Sequence, residues 1–249
     1  VFNGEIYNHL DLRIKLNHES EEKKWKGHSD TETFLECVEE WGIKKTLSLC
    51  VGMFALALWD SKKLELTLAR DRFGEKPLYY GKAKTKDNTF FLFGSDLNVI
   101  KQFDYFNSDI DRNVLREYMR FGYIDDGRSI FKNIKKVEPA TFIKISYKTH
   151  QTKIESYWSL HDQIKKRVKN NQRNSYESVV EIIHQRLRKS VQHQTISDVP
   201  IGCFLSGGID SSLIAALLQE NSATPINTFS IGFNEAEYNE AEYAKDIAE

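Results

Sequence analysis

The sequence predicts two fold classes in series: an α+β domain built on antiparallel hairpins, then the first part of an α/β domain with a parallel sheet. Three observations carry that expectation. Over roughly the first two-thirds of the 249 residues, short apolar runs come in pairs around turn-rich linkers, which is the pattern of hairpins. Runs such as MFALALW (53–59) are continuous rather than alternating, so their strands are expected to be covered on both faces. Near the end, VPIGCFLS (199–206) and INTFSIGF (226–233) bracket an apolar helix at 210–220. Strand, helix and strand with a short return make the βαβ unit of a parallel sheet.

Taken in order, NHLDLRIKL (8–16) has a helix start, with Asn8 as cap and Asp11 three residues on. HESEEKKWKGH (18–28) is charged and aperiodic, a solvated loop. Ser29 and Glu32 fit the S-x-x-E capping box of a helix whose Phe34, Leu35, Val38 and Trp41 share one face and which Gly42 is placed to end. MFALALWD and LELTLARD flank SKK as one hairpin; LYYGKA and TFFLFGS flank KTKDN as another. DIDRNVLREYMRFG (109–122) reads as a helix with an Asp cap and a Gly stop, and TFIKIS and TKIES make a third hairpin around YKTHQ. HDQIKKRVKNNQRNSYES (161–178) is basic, amide-rich and poor in large apolar residues, which places a boundary between domains at 1–165 and 174–249. Asn174 and Glu177 resemble a capping pair, and Val179, Val180, Ile183, Leu187 and Val191 share the face of the helix that follows. Glu249 lies inside a further helix, EYAKDIAE (242–249).

Composition narrows the function classes. With 35 basic and 36 acidic residues the net charge is −1, so no bulk field favours nucleic acid or an anionic membrane, and neither is expected as a partner. The longest apolar stretch, LCVGMFALALW (49–59), falls short of the ~18 residues of a membrane helix. Cys37, Cys50 and Cys203 are odd in number and far apart. They read as buried thiols in a reducing, cytoplasmic compartment rather than a disulfide framework. The seven histidines show no ligand spacing such as HExxH, so no zinc site is expected.

Two stretches carry chemistry. In FLSGGIDSSLIAALL (204–218), Gly207 and Gly208 let the backbone approach a ligand and adopt positive φ. The following helix aims its unpaired N–H groups and positive dipole end at the same space, and Ser206, Ser211 and Ser212 add hydroxyls. Together these form a cradle for phosphate or pyrophosphate. Neither a Walker A loop nor G-x-G-x-x-G is present. The plainer alternative is a strand-to-helix turn with glycines for geometry and Asp210 as helix cap. The stretch resembles the pyrophosphate-binding loop of the ATP pyrophosphatases. That resemblance implies that Ser206, Gly207, Gly208, Asp210, Ser211 and Ser212 bind the pyrophosphate end of ATP, and a likeness to the glutamine-dependent asparagine synthetases puts Leu205 and Ile231 where backbone groups meet the adenosine. It also implies that Asp210 serves a Mg²⁺–pyrophosphate unit, directly or through water.

The second stretch is FNGEIYNH (2–9). It sets a side-chain amide, a bare glycine amide and a carboxylate in consecutive positions, and an amide side chain with a backbone N–H is a competent oxyanion hole. On the letters NG alone, a turn leading into a helix is the simpler reading. The longer string VFNGEIYNHLDLR is followed by SDTET (29–33), GMFALALWD (52–60), ARDRFGEKPLYYG (69–81) and SDVPIGCFLSGGIDSS (197–212). In order and rough spacing these resemble the class II glutamine amidotransferases of the asparagine synthetase branch. The resemblance implies an N-terminal-nucleophile hydrolase-like αββα sandwich over 1–165, truncated at its N-terminus. It implies the start of an ATP-dependent nucleotide-binding synthetase domain over 174–249, incomplete at its C-terminus.

By the same resemblance Asn3 and Gly4 form the oxyanion hole, and with Glu5 and Asp30 they bind glutamine, the two carboxylates on its ammonium group. From the residues alone, Asp30 is an acidic first-turn residue favoured by the helix dipole. Arg70, Asp71 and Arg72 are expected to pair with one another in a turn shaped by Gly74 and Pro77, bordering the glutaminase pocket without a catalytic part. The implied activity is hydrolysis of glutamine to ammonia, adenylation of aspartate by ATP with release of pyrophosphate, and amidation to asparagine. Glutamine, aspartate, ATP and Mg²⁺ are the implied substrates and cofactors, and a homodimer the implied assembly. The alternatives are another carboxylate acceptor, such as a surface-sugar acid or a β-lactam precursor, or a non-catalytic nucleotide-binding relative. The sequence departs from the family in three places. The family's nucleophile is a cysteine at the mature N-terminus, a place none of the three cysteines takes, and its arginine for the glutamine carboxylate is expected upstream. FGSDLNVI stands where Ser-Glu is expected, and VEPAT where Pro-Pro-Gly is.

Overall fold

Paired apolar runs become paired strands. The computed structural model describes residues 1–19, 23–169, 175–197, 199–235 and 239–249. The chain divides into two compact units, Val1–Lys169 and Asn170–Glu249. In the first, chain order is β1 (Phe2–Ile6), α1 (His9–Glu19), α2 (Asp30–Leu49), β2 (Gly52–Asp60), β3 (Glu65–Arg70), β4 (Tyr79–Lys84), β5 (Thr89–Gly94), α3 (Leu97–Ile100), α4 (Arg112–Phe121), β6 (Ile134–Lys136), β7 (Thr141–Ser146), β8 (Thr152–Ser156) and α5 (Leu160–Lys169). β1-β2-β3-β7-β8 form one antiparallel sheet and β5-β4-β6 a second.

The continuous apolar run of β2 has a direct cause. Phe54 and Leu56 face α1 and α2 in a core with Ile6, Leu12, Leu16, Phe34, Cys37 and Phe142. Ala55 and Ala57, one residue out of phase, face the second sheet in a core with Leu68, Leu78, Val137, Ile143 and Ile145. Period-two alternation therefore sends the side chains of 54–57 into apolar layers on both faces, while Trp59 at the far end is half exposed. Phe54, Phe142 and Leu68 are at most 1% exposed, and each such burial is worth about 1.5–3 kcal/mol. Helices, five-stranded sheet and three-stranded sheet stack in the order of the expected αββα sandwich, and short α3 packs on β5 through Ile100 and Gly94.

Several local expectations are corrected. The Asn8 side chain does not cap α1; it bridges the Leu49 carbonyl and the Val51 amide (3.0 and 2.8 Å). Ser29 accepts from Thr31 N at 3.1 Å, but Glu32 does not return to Ser29. It accepts instead from Lys26 N and Gly27 N (2.7 and 3.0 Å), where the preceding loop folds back over the helix start. Leu35 is 48% exposed, because 100° per residue turns it off the face made by Phe34, Cys37, Val38 and Trp41. Gly42 kinks α2 (φ 76°, ψ 161°) rather than ending it, since buried Thr46 and Leu47 continue to cover the sheet. Asn3-Gly4 lies inside a strand, not a turn. β6 and α5 form where no element was expected, one too short for a pattern and the other inside the polar boundary stretch. Ala140, where the resembling family has glycine, sits at φ 57° in the left-handed region.

The second unit runs α6 (Tyr176–Gln194), β9 (Gly202–Phe204), α7 (Ile209–Glu220), β10 (Asn227–Phe229) and α8 (Ala241–Ala248), with β9 and β10 parallel as expected of a βαβ unit. Cys203, Leu205, Ala215 and Ala244 form its core. Asn174 lies outside the described residues, and Ser175 caps α6 by accepting from Ser178 N at 3.3 Å. The expected apolar face of α6 is largely uncovered: Val179, Val180 and Ile183 are exposed and Val191 is buried. Among the described residues no helix is long and apolar enough to cross a membrane, and Cys37, Cys50 and Cys203 are buried free thiols.

Candidate functional site

The first site is the open edge of β1. Gly4 is paired with Phe54 at φ 147°, and a Cβ there would stand 2.0 Å from the Met53 carbonyl oxygen and 2.6 Å from Phe54 Cα. No side chain fits. Ile6 N donates away from the sheet, to Asp30 Oδ2 at 2.9 Å, whereas Tyr7 N donates into it, to the Val51 carbonyl. Backbone amides alternate along a strand, so Gly4 N–H points out of the same open edge as Ile6 N–H. Phe2 and Ile6 pack towards the helices, which puts Asn3 and Glu5 on the opposite face. Asn3 Nδ2 donates to Ser95 Oγ at 3.1 Å, leaving its second amide proton for another acceptor. The structure thus gathers Asn3, Gly4, Glu5 and Asp30 at one strand.

Two groups near this edge are shifted by burial and by neighbouring carboxylates. Burial raises the Tyr7 phenol, and Glu75, Glu5 and Asp71 raise it further. Burial and then Asp71 lift the Glu75 carboxyl above the usual range. His9 is shifted down, by burial first, with Arg13 adding to the effect and Asp30 opposing it.

Arg70, Asp71 and Arg72 do not pair with one another. Asp71 is fully buried and accepts four backbone amides: Phe54 (3.2 Å), Phe73 (3.1 Å), Glu75 (2.9 Å) and Lys76 (3.0 Å). Arg70 donates to Asp126 and to the carbonyls of Val137 and Lys76, each at 2.8 Å. Arg72 donates to the Ser48 carbonyl at 2.9 Å. A carboxylate with four amide donors needs no guanidinium, and here it closes the turn behind Phe54, the residue opposite Gly4. Gly74 (φ 69°) is required there, because a Cβ would meet Arg70 Cζ at 2.7 Å.

The second site is the turn between β9 and α7. Leu205 N still pairs with the Phe229 carbonyl at 2.9 Å. Ser206 and Ser211 hydroxyls lie 2.9 Å apart, and Ser211 and Ser212 hydroxyls donate back to the Gly208 carbonyl (3.1 and 2.7 Å). Gly207 has φ 80°, and a Cβ would meet Tyr243 Cβ of α8 at 2.6 Å. Gly208, at φ −76°, is not in the left-handed region; it is the helix cap, and it caps without a side chain. Asp210 is therefore not the cap. It is exposed in the first turn, beside the amides that head the helix. Ile231 is 70% exposed beyond β10. Gly207 makes room for α8, Gly208 leaves the loop side open, and the amides heading α7 are the groups that suit a polyanion. Among the described residues no three His, Cys, Asp or Glu gather to hold a metal alone. Asp210 nevertheless suits Mg²⁺, which commonly takes one or two carboxylates with substrate phosphates. A cavity of about 340 Å³ in this unit is lined by Pro200, Ile201, Pro225 and Ile226, before the strands begin, at the end away from the glycine loop.

A family model described as the glutamine amidotransferase domain matches residues 1–158. The chain belongs to the glutamine amidotransferase family. In this amidotransferase a second model, asparagine synthase, matches residues 183–249. Asparagine synthetase [glutamine-hydrolyzing] 3 of Bacillus subtilis is 33% identical over 240 residues, 94% of this chain and 36% of that protein. Putative asparagine synthetase [glutamine-hydrolyzing] 2 of Methanocaldococcus jannaschii is 33% identical over 256 residues, 100% of this chain and 45% of that protein. Amidase chyE of Penicillium rubens is 29% identical over 248 residues, 94% of this chain and 34% of that protein. The chain thus spans less than half the length of these relatives. A solved allosteric regulatory enzyme of purine biosynthesis is similar at 17% identity and TM-score 0.42, covering 94% of this chain and 45% of that one, too low to bear on function.

Reading the sequence alone misses Tyr7, His9, Arg13 and Glu75 in the surroundings of this candidate site. Only Arg13 has a signal: a cation between Leu12 and Leu16 on the apolar side of its helix.

Proposed function

We propose that the first unit binds glutamine for hydrolysis and that the second begins an ATP-dependent synthetase which amidates aspartate. The observation that carries this reading is the edge of β1. Gly4 N–H and the Asn3 amide offer donors to an oxyanion, and one residue on, Asp30 and Glu5 offer carboxylates to an ammonium. The net reaction takes up one water at the glutamine carboxamide and gives glutamate and ammonia. Donors aimed at the tetrahedral oxygen are each worth about 3–4 kcal/mol of transition-state stabilisation. The nucleophile is not one of the cysteines present: all three are buried, and burial pushes the Cys37 thiol up to about 11 and raises Cys50 and Cys203 as well. In the resembling family that role belongs to a cysteine at the mature N-terminus.

In the second unit Ser206, Gly207, Gly208, Ser211 and Ser212 hold the pyrophosphate end of ATP, with Asp210 towards Mg²⁺ and Leu205 and Ile231 towards adenosine. Aspartate's β-carboxylate attacks the α-phosphorus and displaces pyrophosphate. Ammonia then attacks the acyl-adenylate and releases AMP. A different acceptor carboxylate is the second reading.

The test is stoichiometry in the full-length protein. Glutamine, ATP, Mg²⁺ and aspartate should yield asparagine, AMP and pyrophosphate in equal amounts. ADP and phosphate instead would refute adenylation; AMP formed with another carboxylate and not with aspartate would establish the second reading.

A further inference from the structure

Arg13 is a buried cation that the proposed chemistry does not touch. It lies on α1 between buried Leu12 and Leu16 and is 9% exposed. Burying a guanidinium costs several kcal/mol unless its charge and protons are satisfied. Here, among the described residues, its hydrogen bonds go to the first turn of α2 and the loop leading into it. Nε donates to Thr33 Oγ1 (2.7 Å), one terminal nitrogen to the Gly27 carbonyl (2.9 Å) and the other to the Ser29 carbonyl (3.0 Å). The Glu32 carboxylate stands 3.6 Å away, and the Trp25 ring lies 4.1 Å beneath the guanidinium carbon. Glu32 in turn accepts from Gly27 N, so both faces of that peptide are held.

Asp30 sits in the middle of the clamped segment 25–33. Its carboxylate crosses to β1 and accepts from Ile6 N at 2.9 Å, the amide directly after Glu5. α1 leaves β1 after only Tyr7 and Asn8, so Arg13 is tied closely to the same strand. One side chain thus fixes the helix that bears one carboxylate against the element continuous with the other. We propose that Arg13 is a positioning residue that sets the separation of Glu5 and Asp30, and with it the fit of glutamine's amino group between them. This rests on the ammonium site proposed above. Lysine cannot replace it: three acceptors in fixed directions and a stacked ring need the planar fork.

The test uses the full-length protein with two amides, glutamine and glutaramate. The second has the same carboxamide and carboxylate but no amino group. Arg13→Lys should raise KM for glutamine about 10- to 100-fold, leave kcat within about three-fold, and leave kcat/KM for glutaramate within about two-fold. Thr33→Val, which removes one acceptor and no charge, should move glutamine KM the same way by about three-fold or more, again sparing glutaramate. If Arg13→Lys does not fold, Thr33→Val decides by the same comparison. Equal losses on both amides, or an unchanged KM for glutamine, would overturn the proposal. Asp30→Asn separates the two levels. An unchanged glutamine KM in that variant refutes the ammonium site itself; a raised KM there, with none in Arg13→Lys, refutes only the positioning role.

Discussion

Gly4→Ala puts the geometry of the β1 edge at risk with one methyl group. The added Cβ would stand 2.0 Å from the Met53 carbonyl oxygen and 2.6 Å from Phe54 Cα. Ordinary contact begins near 3.4 Å, so the strand must move by more than an ångström or leave the ladder. Both neighbours are backbone and cannot swing away. The φ of 147° adds strain for any L side chain. Overpacking of this kind costs about 1–3 kcal/mol and a poorly populated backbone conformation about 1–3 more, giving about 2–6 kcal/mol. Against a typical stability of about 5–15 kcal/mol that is a large fraction. The melting temperature of the amidotransferase unit should fall by about 5–15 °C, read by circular dichroism on the full-length protein. A displaced Gly4 amide also weakens the proposed oxyanion hole, and kcat for glutamine should drop about 100-fold or more. Gly27→Ala is the control: its Cβ would meet nothing nearer than Glu32 Oε2 at 3.7 Å, and its stability should stay within about 0.5 kcal/mol. A Gly4→Ala protein with unchanged melting and unchanged glutamine hydrolysis would refute the reasoning.

Asp71→Asn turns a four-amide acceptor into a group that presents its own N–H₂ to donors, and should cost about 2–4 kcal/mol by urea titration; a midpoint shift too small to measure would contradict that. His9 is lowered by burial from 6.5, so the folded state binds fewer protons than the unfolded chain in acid. Its contribution is intact above 6.5 and is lost as pH falls through the lower folded value; His9→Gln should therefore flatten the loss of urea stability below pH 6.5, and an unchanged pH slope would count against it. Asp210→Ala should abolish ATP–pyrophosphate exchange and spare glutamine hydrolysis. Asn3→Ala should cut glutamine hydrolysis about 100-fold and spare synthesis from free ammonia. Equal loss of both activities in each variant would contradict the division of labour.

The hairpins, the capped helix 112–121 and the βαβ unit were legible because their signals are local: turn residues, caps and periodicity act within a few positions. Even two-sided burial of β2 could be read from an unbroken apolar run. The residues of the two candidate sites were legible as motifs, and the family match agrees with the resemblance they carry. What they touch was not legible. That Gly4 must lack a Cβ depends on Met53, 49 positions away, and that Asp30 reaches Ile6 depends on where α2 docks.

The amino-acid sequence by itself determined which neighbouring runs pair as hairpins, where α2, α4 and α7 begin within a residue, and which residues could meet charge. Only tertiary structure decided that Gly42 bends a helix instead of stopping it, that Glu32 and Asn8 serve neighbouring loops rather than their own helix ends, that Asp71 binds amides rather than arginines, and that Arg13 is buried. The physical reason is that a polar side chain leaves its expected partner whenever folding brings a better set of donors or acceptors within about 3 Å. For Asn8 and Arg13 those sets come from residues more than ten positions away, and for Glu32 and Asp71 mostly from the adjoining loop, whose path is set by packing.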